Sequence, residues 1–524
     1  MAIGQIELKR LTAIHGWSAV ILGLLLYVVV ATGAVAVFAE EIGRWSAGGL
    51  RTAAPLEQPV DATLRRLSRE VEPEYREDVA VWGGAGRNLF AFFHTHAVNP
   101  DTGVLEDKGT MFRADSVTGK VIDRHDGFIW NDPAAWDDSA LRHFLVELHV
   151  QLYLPSPWGL ILTGILGLTM MAAVVSGVLM HRHVIRDLFV AERGGGRLVG
   201  ARDRHALVSS WSIPFAFLLA FTGSFFSLAG TIGFPLVATV AFSGDQEALS
   251  ATLFEPPAPV DETPATLANL NAMISDSRAR ADSEATYLDV AHFGRSDARV
   301  TVWHAPGHGG MIYPVNRYDG ATGVWLGAQA PLGTAPSLGG TLYGLMYPLH
   351  FGHFAGVFSR IVWGALGVTM CVVILSGFRL WVRRREADPA WRRFGQAVQI
   401  TGYGLPIGML ASGYAYYLSR PSADPFFWTP LGFVVGVALA VALGLRVPDE
   451  RRYGTLAQRL LAVLCAGLPV LRLATGGMDW ATALMHGQTD IVTIDLLLVI
   501  AGASLWWFAR PKRPVVRLLT EPAE

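Results

Sequence analysis

The chain has 524 residues, of which 51% are hydrophobic and only 16% charged, with a formal net charge of -2. Long apolar runs at that charge density exclude an ordinary soluble enzyme and indicate a polytopic membrane protein. The near-neutral balance also lacks the basic excess that nucleic acid selects. Charge is nevertheless segregated. Basic residues crowd the short stretches 182–204, 379–393, 446–459 and 510–517, while the two long inter-helix segments are rich in Asp and Glu. The positive-inside rule then predicts that both termini and the short basic connections are cytoplasmic.

In chain order, Lys9 and Arg10 precede an apolar run from Leu11 to Phe38. This run is longer than a signal-peptide core and lacks a small-residue cleavage site, so it is expected to stay as a signal anchor. Further spans are expected near 157–181, 206–232, 354–382, 397–418, 427–446, 457–475 and 490–509, eight in all, an even number that returns the chain to the cytoplasm. Segments 41–148 and 235–345 are each of a size for a small α+β domain outside the membrane. Each opens with a helical pattern (Ala62-Thr63-Leu64; Ala265-Thr266-Leu267) and later holds a glycine-ended turn between strand-like residues, Asp115 to Gly119 and Asp319 to Gly323, which is a hairpin signal. Cys371 and Cys465 both lie in apolar runs, so neither a disulfide framework nor a thiolate metal site is expected.

The first four spans carry an internal echo. His15 precedes Thr32-Gly33 by the interval that separates His205 from Thr222-Gly223. Leu148-His149 precedes a glycine-rich span ending in Ser176-Gly177, as Leu349-His350 precedes one ending in Ser376-Gly377. The duplicated unit is therefore helix, small domain, helix. Residues 397–510 show no such echo and read as an appended four-helix module.

These histidines, the Thr-Gly and Ser-Gly pairs and the two Asp-x-x-Thr-Gly hairpins together resemble the PepSY-associated transmembrane family over about residues 5 to 390. The resemblance implies a mainly α, four-helix haem-binding core with two PepSY domains in the periplasm. It also implies two b-type haems held by helix histidines in the bacterial inner membrane. The better understood members are reductases of ferric siderophores, which makes a ferric siderophore the implied acceptor and Fe(II) the released product. The usual core has four spans, so the resemblance says nothing of the appended module.

A b-type haem needs two axial imidazoles from facing helices in an apolar slot. His15 and His205, just inside the cytoplasmic ends of their helices, form one candidate pair, with Arg10, Arg202 and Arg204 near enough in sequence to hold propionates. His149 and His350, expected where the second and fourth spans begin, form the other. At 1.5 Å per residue, the 18 positions from His15 to Gly33 or from His205 to Gly223 cover about 27 Å, nearly the hydrocarbon thickness. Gly33 and Gly223 should therefore be level with the outer pair, and by the same reasoning Gly177 and Gly377 with the inner one, leaving room for a flat macrocycle. Small residues in membrane helices also serve close packing, but ionisable groups inside spans are costly and usually functional.

His353, one turn beyond His350, is an alternative outer ligand or a substrate contact, while His181 and His183 are held in reserve for the inner site. His94, His96, His125, His143, His292, His304 and His308 are assigned mainly to domain surfaces. Arg472 and Asp495 are expected to pair within the appended module. No glycine-rich nucleotide fingerprint follows a strand, so the electron donor must be external, a quinol or a soluble reductase. The competing reading is a cofactor-free membrane anchor whose PepSY domains restrain a periplasmic protease or sense a ligand.

Overall fold

The computed structural model describes residues 4–51, 55–56, 59–103, 105–180, 197–254, 260–307, 310–421 and 424–510. Its helices are α1 (Gln5–Ala36), α2 (Ala39–Ala47), α3 (Val60–Leu67), α4 (Pro133–Trp136), α5 (Ala140–Gln151), α6 (Trp158–Met180), α7 (Arg197–Leu228), α8 (Phe234–Ala241), α9 (Gln246–Leu253), α10 (Leu270–Ala281), α11 (Leu338–Phe351), α12 (Gly356–Arg383), α13 (Pro389–Ser419), α14 (Pro425–Arg446), α15 (Glu450–Ala474), α16 (Trp480–Met485) and α17 (Thr489–Phe508). Among the described residues, seven helical stretches are long and apolar enough to cross a membrane, with α7 and α8 joined through a π-helical turn into one of them. The chain is a multi-pass membrane protein. Helix α13, expected as the fifth span, has the length but falls short in apolarity, because Arg392, Arg393, Gln396 and Gln399 occupy its first turns and tyrosines its second half.

Helices α1, α6, α7 and α12 close into a ring, each packing on two of the others. Leu26, Leu166, Met170, Phe215, Ala216, Ala220 and Met370 fill its middle. Four of the five appended helices start on aspartate caps: Asp388, Asp424, Asp449 and Asp479 each accept a first-turn amide.

The two extramembrane segments are not separate domains. Their strands form one antiparallel sheet in the order β4-β3-β2-β1-β5-β6-β7-β8, where β1 is Asp78–Gly83, β2 Asn88–Val98, β3 Leu105–Asp115, β4 Val121–Gly127, β5 Ala285–Ala291, β6 Arg299–His304, β7 Val315–Asp319 and β8 Trp325–Ala328. The seam is the β1–β5 pair, with Ala80 opposite Asp289. Helices α3 and α10 cover one face together. Val60, Leu64 and Leu67 recur at helical spacing on α3 and meet Leu270, Met273 and Ile274 of α10 over Val79, Val81, Leu288 and Val290. One core thus serves both halves, and segment length alone could not reveal it.

Both predicted hairpins are present. Asp115 and Asp319 each bind the amide and hydroxyl of the Thr three residues on, and Gly119 and Gly323 take positive φ. Ala265 to Leu267, read as helical, instead lies outside any helix, and α10 begins at Leu270 behind its Asn269 cap.

On the opposite sheet face Trp82, Phe90, Phe92 and Met111 pack beneath Ile129 and Ala135. The same face carries Asp78, Asp107 and Asp289, and burial first, then the two neighbouring carboxylates, pushes the Asp289 carboxyl up to about 7. His304 is not a surface residue. It is fully buried, with Nε2 on Ser277 Oγ at 2.7 Å and Nδ1 on the Ser283 carbonyl at 2.9 Å. His94 is buried as well, against Phe92.

A paired-histidine site in the four-helix core

His149 and His350 do not begin the second and fourth spans. Each sits in the last turn of a separate helix, α5 or α11, that the chain completes before turning into the membrane. Ser139 and Ser337 cap the starts of these helices by accepting from Arg142 N and Gly340 N. Their ends are set by Leu152 and Tyr153 at positive φ in the one case and by Gly352 at φ 71° in the other. The prolines at 155 and 157 make continuation from α5 into α6 unfavourable.

This placement brings the two rings together. The imidazole centres of His149 and His350 are 6.4 Å apart with planes 26° from parallel. A metal–imidazole bond of about 2 Å on each side puts ring centres on the order of 6 Å apart, so one metal centre fits between them. His353 is not part of the pair. Gly352 turns the chain, and His353 Nδ1 meets Tyr313 Oη at 2.6 Å on the side of the sheet domain.

At the other end, His15 and His205 line one cavity of about 1000 Å³. Gly177, Gly377, Met170 and Met370 contribute to its walls, as do Arg202, Arg384 and Trp381. Of the arginines expected there, Arg202 lines the cavity, whereas Arg10 and Arg204 do not appear in its wall. Arg384 was not anticipated, although the sequence places it one turn past Leu380 on the same helix. His181 and His183 lie outside the described residues.

The hydrogen bonds fix which ring nitrogen faces the interior. His15 Nδ1 lies 3.0 Å from the Ala173 carbonyl and His149 Nδ1 2.9 Å from the Val29 carbonyl. A carbonyl only accepts, so both rings carry their proton on Nδ1. His205 Nδ1 lies 2.9 Å from Ser376 Oγ and His350 Nδ1 2.8 Å from Thr222 Oγ1. Those hydroxyls already donate to the Val373 and Leu218 carbonyls, so they too must accept from the histidine. All four imidazoles therefore donate from Nδ1, and among the described residues no hydrogen bond engages any of the four Nε2 atoms. Orientation of a ring through its other nitrogen is the usual support for a metal-ligating histidine.

The glycines stand at the predicted levels, each close against one ring. A Cβ at Gly33 would lie 2.7 Å from His149 Cε1, at Gly223 3.2 Å from His350 Cε1, at Gly377 3.3 Å from His205 Cε1 and at Gly177 3.6 Å from His15 Cε1. They seat the imidazole rings against the neighbouring helix, and Gly177 and Gly377 also line the cavity that His15 and His205 share. The hydrogen-bond acceptors Ser376 and Thr222 were legible only as halves of the Ser-Gly and Thr-Gly pairs. The Ala173 and Val29 carbonyls carry no sequence signal.

Over residues 12–384 the sequence matches the family described as PepSY-associated TM region. An uncharacterized protein of Pseudomonas aeruginosa is similar as well, 29% identical over 393 residues that make up 71% of this chain and 95% of the relative.

Proposed function

The chain belongs to the PepSY-associated TM region family, and from that premise we propose that it is a di-haem b oxidoreductase of the bacterial inner membrane that reduces a ferric siderophore on the periplasmic side. The observation that carries this reading is the shared orientation: four core histidines, two at each end of one helix ring, each tied through Nδ1 to a neighbouring helix and each with no hydrogen bond to Nε2 among the described residues. In this reading His15 and His205 would hold one haem, with Arg202 and Arg384 of the same cavity lining to pair with its propionates. His149 and His350 hold the other. The haems, when bound, supply one-electron chemistry at both faces, so that electrons from an external quinol or soluble reductase reach an outer acceptor.

The protein's own share is to orient and to insulate. The four Nδ1 hydrogen bonds keep each lone pair aimed inward, and the apolar packing around Met170 and Met370 excludes water between the two sites. A ferric siderophore suits such an outlet because Fe(II) binds hard oxygen donors less tightly than Fe(III), and a single electron therefore loosens the metal.

Absorption of the purified protein tests the reading. A Soret band with reduced α and β bands is expected, with about half the haem lost in His15→Ala or His205→Ala and the other half in His149→Ala or His350→Ala. Protein made with ample haem that shows no such bands favours a cofactor-free anchor instead. Reoxidation of the reduced protein by ferric siderophores then identifies the acceptor.

A further inference from the structure

The appended helices grip only one of the two outer histidine-bearing helices. At the centre of that grip is a buried ion pair: Arg472, 1% exposed, and Asp495, fully buried, meet through Nε to Oδ1 at 3.2 Å and through a terminal nitrogen to Oδ2 at 2.5 Å. Two indoles complete the set, Trp480 Nε1 donating to Oδ2 and Trp45 Nε1 to Oδ1, each at 2.8 Å. With four donors on two oxygens the carboxylate is saturated. Such a group holds elements together and has no vacant lone pair with which to relay a proton.

Trp45 belongs to α2, outside the module, so the pair is a latch between α15, α17 and α2. Asp490 strengthens it by binding Arg44 and Arg51, and Tyr416 and Arg420 donate to the Ser46 carbonyl. From α2 the hold passes to α5. Ser46 Oγ and the cap residue Ser139 share a hydrogen bond at 2.6 Å, and Gly43 lies so close to Arg142 that a Cβ there would stand 2.9 Å from Cδ. Helix α14 adds Phe433 against Phe144 at 5.3 Å between ring centres. Helix α11, which carries His350, is treated differently. Among the described residues no hydrogen bond or ion pair joins it to the module, and its main helical neighbour is α7.

We propose that residues 389–510 act as an anchor that fixes His149 through α2 and α5 while the helix of His350 is held by the four-helix core alone, with Asp495, Arg472 and Trp45 as positioning residues for His149. A metal centre shared by the two rings thus has one rigid ligand and one adaptable one. The proposal rests on the reading of His149 as a haem ligand, but its mechanical half does not.

The test uses the full-length protein in nanodiscs, with Trp45→Phe, which removes one donor and keeps the ring, beside Asp495→Asn. Hydrogen exchange is followed in residues 140–151 and 338–351, and redox titration resolves the two haems. The expected result in Trp45→Phe is exchange on the order of tenfold faster in 140–151, unchanged exchange in 338–351, and a shifted midpoint potential for the outer haem alone. Equal response of the two segments, or no response in 140–151, overturns the anchor. Should Asp495→Asn fail to fold, Trp45→Phe decides by itself. If the wild-type protein binds no haem, the oxidoreductase reading falls, while the exchange measurement still decides the anchor.

Discussion

The two halves of the core hold their histidines by the same device and are braced by different surroundings. Each half has a histidine near the start of one helix, another at the end of a short serine-capped helix, and a glycine against each ring. Yet α5 is wedged among α2, α14 and α13, whereas α11 rests mainly on α7. Even the acceptors differ, since His149 donates to a backbone carbonyl of α1 and His350 to the hydroxyl of Thr222. The lesson is that ring placement and the donating nitrogen are common to both halves, and the set of helices packed around them is not.

That comparison can be broken most severely in the sheet domain, where the halves share a core. Leu64→Ala in the first half and Leu270→Ala in the second should each cost about 2–5 kcal/mol and should each melt all eight strands together. Calorimetry resolving two independent transitions would show that the halves fold separately. Next comes the seam. The Asp289 carboxyl, raised from an ordinary 3.8 to about 7, is favoured neutral in the folded state. Its contribution is therefore complete below about pH 4 and is lost as pH climbs through 7. Asp289→Asn should flatten the decline in thermal stability between pH 5 and 8 and raise stability at pH 8, by at most about 4 kcal/mol for a shift of this size. Parallel pH curves for the two proteins would refute it.

Smaller effects separate the two outer histidines. Gly33→Ala pushes a methyl to 2.7 Å from the His149 ring, against 3.2 Å for Gly223→Ala and His350. Overpacking of about 1–3 kcal/mol and loss of outer-site haem should follow in the first variant and be milder in the second, as thermal melts and pyridine haemochrome titration would reveal. Finally, Thr222→Val removes the acceptor of His350 and should weaken outer-site haem about 10–100-fold. Thr32→Val should weaken it less, because the Thr32 hydroxyl bonds to the Val28 and Val29 carbonyls of its own helix and the Val29 carbonyl that accepts from His149 stays in place. Equal losses in the two would mean that the Thr-Gly pairs act through helix packing alone.

Much of the site was readable because helix geometry is periodic. Once His15 and Gly33 lie on one straight helix, the rise per residue fixes their separation, and the level of each glycine follows. Hairpin turns were readable for a similar reason, since an Asp, a Thr and a Gly at fixed offsets build them locally. The β1–β5 pairing was hidden because it joins strands some two hundred residues apart, and nothing in either strand names its partner. The breaks after His149 and His350 did leave a trace, in Pro155, Pro157 and Gly352, but the apolar runs around them suggested continuous spans. The latch was half visible: Arg472 and Asp495 stood out as charges in apolar helices, while Trp45 resembled any aromatic residue at a membrane edge.

The seam of the sheet has a consequence for what a single half could do. Cut between β1 and β5, either fragment would expose a bare strand whose row of free amides and carbonyls is a template for association. Two such fragments would complete one another edge to edge, as a dimer of equals. Joined in a single polypeptide, the partners are permanently matched, and one of them is free to acquire an attachment that the other lacks.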